Sequence, residues 1–147
     1  MDLQLKVTQP QSDFLQMEKR YRLFCAGYGA GKSEAMVQAA VMDAATSPGA
    51  LIGCYQPSYD LIKLITAERI TEKLTELGVR FKYNKQDNMV YTSTKQWGDF
   101  VFRSLDNPSR IVGYETYTAH VDEIDTLPAA HAEEAWNKVI ARNRQQP

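Results

Sequence analysis

A glycine-rich stretch, AGYGAGKS at Ala26–Ser33, contains the residue types that bind phosphate groups. Glycines let successive backbone N–H groups turn towards an anion, and a helix that begins after them adds its own free N–H groups and the positive end of its dipole. In this pattern Lys32 reaches the terminal phosphates of a nucleotide, and the hydroxyl of Ser33 is a ligand for Mg²⁺. The stretch therefore predicts a site for ATP and Mg²⁺. The other residues expected to contact the nucleotide are Gly27, Tyr28, Gly29, Ala30 and Gly31.

The flanking sequence favours this interpretation over a glycine-rich turn that happens to end in Lys-Ser. The apolar run Tyr21–Cys25 precedes the loop and contains a predicted first strand, Arg22–Cys25, and Glu34–Ala45 predicts a largely buried helix after the loop. One position departs from the pattern G-x-x-x-x-G-K-[ST], because Ala26 stands where the first glycine is usual. Alanine tolerates a positive φ poorly, so the match requires that this position has a negative φ.

A second candidate for the same chemistry is the acidic pair Asp122-Glu123, which follows the strand candidate Tyr114–Val121. Phosphoryl transfer needs a carboxylate that orients the Mg²⁺ shell and a base that positions the attacking water. A strand beside the loop strand would bring Asp122 near Ser33 and the metal, with Glu123 close to the γ-phosphate. The alternative is an exposed acidic turn, VDEID, because polar residues interrupt the apolar run before it.

The elements around these residues predict an α/β fold. A short apolar run, Ala50–Tyr55, is typical of a strand that is covered on both faces, and a helix with an apolar stripe follows from Pro57 to a C-terminal Gly78. Two strand–helix units in succession indicate a mainly parallel sheet with helices packed on it. The stripe consists of Leu61, Leu64, Ile65, Ile70, Leu74 and Leu77. An added antiparallel ribbon is expected from Arg80–Tyr83, Met89–Tyr91 and Gly98–Arg103, a short helix from Gln11–Arg20, and a last helix from Pro128 onward.

Composition sets the remaining bounds. The chain has 147 residues with 44% hydrophobic residues and a formal net charge of −1, which predicts one globular domain, residues 1–147. It contains no apolar run long enough to cross a membrane, and its N-terminus lacks the apolar core of a secretion signal. We therefore expect a protein that stays in the compartment where it is made, with Cys25 and Cys54 as buried free thiols.

Four stretches in order resemble one family. They are TQPQSDF at Thr8–Phe14, the loop at Ala26–Ser33, DNPSRIVGYE at Asp106–Glu115, and VDEID at Val121–Asp125 followed by a helix that leads to ARNR. Together they resemble the N-terminal ATPase domain of the large terminase subunit of tailed bacteriophages. The resemblance implies a RecA-like (ASCE) P-loop ATPase that drives double-stranded viral DNA into a capsid. It also implies a homo-oligomeric ring on the portal protein, a small terminase subunit as partner, a monomer in isolation, and a location in the host cytoplasm without membrane contact.

The resemblance assigns roles by position. Gln9 or Gln11 resembles the glutamine that reads the adenine edge, Asp122 the metal-shell aspartate and Glu123 the catalytic glutamate. Lys32 and Ser33 take the phosphate and Mg²⁺ roles. Arg110 resembles the arginine that some members insert into a neighbouring subunit's site, and a surface arginine in a turn is the equal alternative.

The chain also departs from the family. Tyr28 and Ala30 occupy the region where many members carry an arginine, so the loop supplies no arginine of its own. The chain ends before the family's Ser/Thr coupling motif and nuclease domain, so we expect an ATPase domain that is incomplete at its C-terminus and does not cleave DNA. Two alternatives stay open: another RecA-like ATPase such as a helicase, or a truncated remnant that binds nucleotide without turnover. The basic residues Lys138, Arg142 and Arg144 are either DNA contacts or a solvated helix end.

Overall fold

The computed structural model describes residues 4–145. The helices are α1 (Gln9–Leu15), α2 (Lys32–Thr46), α3 (Tyr59–Leu61), α4 (Ala67–Glu76) and α5 (Ala129–Arg142). The strands are β1 (Leu51–Gln56), β2 (Phe81–Asn84), β3 (Met89–Thr92), β4 (Asp99–Ser104) and β5 (Thr118–Val121). A π turn, Ile62–Thr66, joins α3 to α4, and 3₁₀ turns occupy Pro108–Arg110 and Ile124–Thr126. None of the helices within this range is long and apolar enough to cross a membrane.

The strands form one sheet in the order β2-β3-β4-β1-β5. The central strand β1 is parallel to both β4 and β5, whereas β3 pairs antiparallel with both β2 and β4. Residues 52–56 of β1 are all buried, because helices or loops cover both faces of a central parallel strand. The predicted parallel sheet with an added antiparallel ribbon is confirmed.

Helices lie on both faces of the sheet. Successive residues of a strand point to opposite faces. On one face Cys54 packs with α2 and α4 in the larger core cluster, and on the other face Tyr55 packs with Ala135 and Val139 of α5. The sheet is therefore the middle of three layers, and its carboxyl edge carries the ends of β1 and β5.

The helical stretch after β1 is less regular than its apolar stripe predicts. The π turn adds a residue to the turn between α3 and α4, so the face that meets the core rotates. As a result Ile62 and Thr66 are buried, while Leu64, which the stripe placed in the core, is 66% exposed. The predicted cap is confirmed: Gly78 has φ +72°, and the N–H of Val79 donates to the carbonyl of Leu74 at 2.9 Å.

The strand predicted at Arg22–Cys25 is wrong for the described structure. The burial of the segment alternates, with Phe24 partly buried and Leu23 82% exposed, but the segment forms no backbone–backbone hydrogen bond with another described residue. It runs beside β5 and α5, and the three line a cavity of about 330 Å³. A strand requires a ladder partner as well as an alternating pattern, and here the partner is lacking. Cys54 is buried as expected, whereas Cys25 is exposed, which corrects that expectation.

Two boundaries also differ from the expected ones. Helix α1 begins at Gln9 because Thr8 caps it, and it ends at Leu15 rather than Arg20. Strand β5 begins at Thr118 rather than Tyr114, since the N–H of Thr116 donates to the carbonyl of Arg142 at 2.8 Å. That bond ties Thr116 to the end of α5, and hydrogen bonding to β1 begins at Tyr117, whose N–H donates to the carbonyl of Leu51 at 2.8 Å.

Candidate nucleotide site

The glycine-rich loop has the backbone that an anion-binding loop requires. Gly29 and Gly31 have φ values of +76° and +80°, which side-chain-bearing residues rarely adopt. A Cβ on Gly31 would also lie 2.5 Å from Nε2 of Gln11. Helix α2 begins directly after Gly31, so the N–H groups of its first turn have no acceptor within the helix. Ala26 is not among the residues with positive φ, so alanine in place of the usual glycine causes no strain.

Lys32 and Tyr28 have contrasting positions in the loop. The ammonium of Lys32 donates to the carbonyl of Ala26 at 2.8 Å, across the mouth of the loop. Tyr28 is fully exposed at the tip. The side chain of Lys32 is therefore folded back over the loop, whereas that of Tyr28 points into solvent.

The structure brings Ser33 and Asp122 together. Oγ of Ser33 donates to Oδ2 of Asp122 at 2.6 Å, although the two residues are 89 positions apart. Asp122 is buried, and its other oxygen accepts the N–H of Glu123 at 2.9 Å. Because the serine proton goes to the aspartate, the lone pairs of the serine oxygen remain available to a cation. A hydroxyl oxygen beside a carboxylate is a hard-oxygen donor set that fits Mg²⁺.

The backbone turns away from the direction of β5 at Glu123. Its φ of +54° and ψ of 27° place it in the left-handed region, where a non-glycine residue costs about 1–2 kcal/mol. Its carbonyl accepts both the N–H and the hydroxyl of Thr126, at 3.1 and 2.8 Å, which holds this conformation. Its side chain is exposed, next to the buried Asp122. Strained residues of this kind cluster at functional sites.

One residue of the site was missed by the sequence pattern. Gln56, the last residue of β1, is buried, and its Nε2 donates to Oδ2 of Asp122 at 3.3 Å and to Oγ1 of Thr66 at 3.0 Å. The available signal was its position directly after the apolar run Ala50–Tyr55. Polar residues at the carboxyl ends of parallel strands commonly line a site.

The two candidate adenine-reading glutamines have different surroundings. Gln11 is buried, and its Oε1 accepts the N–H of Thr8 while its Nε2 donates to the carbonyl of Gly31, both at 2.9 Å. Gln9 is exposed and donates to Asp13. Only Gln11 therefore contacts the loop, as part of a capping box that also holds Gly31. A role in reading adenine stays a prediction.

Three arginines that bear on the predicted roles occupy different settings. Arg110 is exposed at the end of the turn Pro108–Arg110 and has no ion pair within residues 4–145. That exposure fits a surface arginine and also an arginine that enters a neighbouring subunit. Arg69 of α4 was not singled out by the sequence pattern. It pairs with Glu34, the residue after Ser33, at 3.8 Å. Arg144 donates to the carbonyl of Ala141 at 2.7 Å, which favours the helix-end alternative for that residue.

Comparison with known proteins decides the family. The family described as "Terminase large subunit, T4likevirus-type, N-terminal" matches residues 23–147. The chain belongs to the terminase large subunit family. Among the curated proteins, none matches the chain significantly.

Solved structures of large terminases have the same fold as this terminase domain. The large terminase of a thermophilic bacteriophage, in complex with ADP, has a TM-score of 0.75 at 20% identity over 92% of this chain and 36% of its own. The ATPase domain of the Thermus phage P74-26 large terminase has a TM-score of 0.71 at 20% identity over 94% of this chain and 62% of its own. The predicted RecA-like α/β fold is confirmed. The chain spans between about a third and three fifths of the length of these relatives.

A hydrogen-bonded histidine–aspartate pair ties the loop helix of the terminase domain to β5, the strand that precedes Asp122. Nε2 of His120 on β5 lies 2.8 Å from Oδ2 of Asp43 on α2. Burial alone would raise the pKa of Asp43, but the hydrogen bond and charge of His120, the Thr118 hydroxyl and the charge of Arg22 outweigh it and hold this pKa below its ordinary value. The pair therefore favours the folded state wherever Asp43 is ionised.

Asp43→Asn tests this linkage through the pH dependence of stability. A carboxyl whose pKa is lowered on folding stabilises the protein above its ordinary pKa, near 4, and this stabilisation is lost as the pH falls through the folded-state value. We expect Asp43→Asn to lower the urea midpoint at pH 7. The difference in urea midpoint between the parent and the variant should become smaller as the pH falls towards 3. Asp106→Asn, at an exposed site, is the control and should shift the midpoint little. A gap that is constant from pH 7 to pH 3 would contradict the linkage.

Proposed function

We propose that this chain is the motor domain of a viral DNA-packaging terminase, which hydrolyses ATP with Mg²⁺ and couples hydrolysis to translocation of double-stranded DNA into a capsid. The 2.6 Å contact between Ser33 and Asp122 carries the proposal, because it joins the glycine-rich loop to the acidic strand end in one site. Related large terminases were solved with ADP and with ATP-gamma-S, which supports nucleotide binding.

The loop would bind the phosphates through its own backbone and Lys32. The N–H groups at the start of α2 face the anion, and the ammonium of Lys32 exchanges the carbonyl of Ala26 for phosphate oxygens. Ser33 and Asp122 would hold Mg²⁺, the serine directly and the aspartate through the metal's water shell. The bound cation supplies neutralising charge on the β- and γ-phosphates.

Glu123 would activate the water. Its exposed carboxylate accepts a proton from the water as the water oxygen attacks the γ-phosphorus in line with the leaving group. The bond between the γ-phosphorus and the β–γ bridging oxygen breaks, and ADP and inorganic phosphate leave. The left-handed backbone of Glu123 turns its side chain away from the direction of β5, while Asp122 stays buried beside Ser33.

The assembled motor would complete the site between subunits. Tyr28 and Ala30 supply no arginine within the loop, so an arginine that stabilises the transferred phosphoryl group would come from elsewhere. The exposed Arg110 would supply it from the next subunit of a homo-oligomeric ring. That ring would assemble on the portal protein in the host cytoplasm, with the small terminase subunit as partner, whereas the isolated chain would be a monomer.

The test is ATPase activity per chain as a function of protein concentration, with and without double-stranded DNA. We expect activity to rise with concentration, and Arg110→Ala to remove the rise, since an arginine supplied between subunits contributes about 10³–10⁵ in related NTPases. Arg80→Ala, another exposed arginine, is the control. Mixing Arg110→Ala with Glu123→Gln should restore part of the activity, because each variant supplies what the other lacks.

Two results would overturn parts of the proposal. Fast turnover that does not depend on protein concentration would exclude the arginine from a neighbouring subunit. A nucleotide-dependent rise in melting temperature without phosphate release, even at high protein concentration, would show a nucleotide-binding module that is not an ATPase.

A further inference from the structure

Gln56 holds a position that neither the phosphate loop nor the acidic pair accounts for. It ends β1, between β4 and β5, and its side chain is 1% exposed. A buried amide costs free energy unless its polar atoms are bonded. Its two hydrogen bonds go to a carboxylate of the candidate metal site and to a threonine of the π turn.

The carboxylate determines the orientation of this amide. A carboxylate oxygen only accepts hydrogen bonds, so the group of Gln56 that faces Oδ2 of Asp122 is the NH₂ and not the carbonyl. The same oxygen accepts the hydroxyl of Ser33. Two donors on one oxygen leave the carboxylate little freedom to rotate. Oε1 of Gln56 is buried and has no hydrogen-bond partner within residues 4–145. The amide therefore acts only as a hydrogen-bond donor here.

The second donor proton of Gln56 is bound by Thr66. Thr66 is fully buried and is the last residue of the π turn Ile62–Thr66. π turns inside helices are rare and occur frequently at functional sites. Here the turn brings the hydroxyl of Thr66 to the end of β1, where it anchors Gln56 at 3.0 Å.

We propose that Gln56 is a positioning residue that holds the Asp122 carboxylate against Ser33, and that Thr66 holds Gln56 in turn. The proposal rests on the proposed function, because it assigns Gln56 to the same Mg²⁺ site. Gln56 acts through Asp122 and does not touch the nucleotide. Residues that orient the groups around a metal typically change metal affinity or activity by about 10–100-fold when they are replaced.

A second buried glutamine provides a matched control. Gln38 of α2 is 2% exposed, its Nε2 also makes two hydrogen bonds, to Lys6 and Glu34, and its Oε1 also lacks a partner within the described range. Gln56 and Gln38 therefore differ mainly in whether they bond to Asp122. A purely structural role predicts the same outcome for both glutamines.

The experiment compares Gln56→Met, Gln38→Met and the parent chain. Methionine keeps the length of the side chain and removes the amide. ATP-gamma-S affinity is measured by calorimetry across a Mg²⁺ titration and in EDTA, with the urea midpoint recorded for each protein. Mg²⁺ should increase the affinity for ATP-gamma-S, and we expect Gln56→Met to raise the Mg²⁺ concentration that gives half of this increase by about tenfold or more. The affinity in EDTA should stay unchanged. Gln38→Met should lower only the urea midpoint. Thr66→Val should raise the Mg²⁺ requirement by a smaller factor, and it tests the same contact if Gln56→Met does not fold.

The outcomes separate the two proposals. One outcome is that the parent needs Mg²⁺ to bind ATP-gamma-S tightly while Gln56→Met and Thr66→Val need the same Mg²⁺ concentration as the parent. In that case the positioning role is wrong and the proposed function stands. If Gln38→Met shifts the Mg²⁺ requirement as much as Gln56→Met, the effect is one of general stability and the positioning role is also wrong. A folded parent that binds no nucleotide overturns both.

Discussion

Replacing Glu123 by glutamine is expected to reduce ATP turnover by at least about 10²-fold while nucleotide affinity stays within a factor of about two. Glutamine has the shape of glutamate but accepts no proton from the attacking water, and a positioned base contributes about 10²–10⁴ in rate. The fold should tolerate the change, because the side chain is exposed and the left-handed backbone is held by Thr126 through the carbonyl of residue 123. Phosphate release and ATP-gamma-S affinity measure the two effects separately.

Asp125→Asn is the matched control for this change. It removes an exposed carboxylate two residues further along the same acidic turn and should leave turnover unchanged. Substantial phosphate release by Glu123→Gln would show that another group activates the water. Loss of turnover in Asp125→Asn alone would move the role to that residue.

Replacing Lys32 by alanine is expected to weaken ATP-gamma-S binding by about 10–100-fold. A hydrogen bond between charged partners contributes about 1.5–3 kcal/mol, and the ammonium of Lys32 makes such bonds only when a phosphate replaces the carbonyl of Ala26. The free domain loses one hydrogen bond to its own loop, so its urea midpoint should fall only slightly. Calorimetric titration of ATP-gamma-S with Mg²⁺ measures the affinity.

The control for Lys32→Ala is Lys95→Ala, which removes one exposed lysine from the turn between β3 and β4. Lys95→Ala changes the net charge by the same amount as Lys32→Ala and leaves the loop unaltered. Equal affinities for all three proteins would count against the whole phosphate site, because no other side chain of the loop carries a positive charge. A large fall in the urea midpoint of Lys32→Ala would instead show that the lysine serves the fold.

Local conformation was predictable because it depends on neighbours in the sequence. Gly29 and Gly31 have positive φ as the loop pattern requires, and Gly78 caps its helix. Apart from the strand expected before the loop, the order of strands and helices also followed from the apolar runs. An apolar run such as Ala50–Tyr55 reports that both of its faces are covered.

The predictions were wrong where the structure depends on contacts that an apolar pattern does not report. Tyr21–Cys25 has the composition of a strand, but no ladder partner pairs with it in the described structure, so Leu23 and Cys25 are exposed. Leu64 has the spacing of a core residue in a regular helix, and the π turn rotates it outward. Periodicity reports which residues share a face only while the helix stays regular.

The sequence by itself determined the glycine-rich loop, the helix that follows it and the acidic pair after β5. These are short-range features, since backbone preference and hydrogen bonding within a few residues decide them. Only the tertiary structure decided that Ser33 meets Asp122, that Gln11 rather than Gln9 contacts the loop, and that Gln56 holds the aspartate. Such contacts depend on which strands become neighbours and in what register, and a shift of one residue in β1 would turn Gln56 to the opposite face of the sheet.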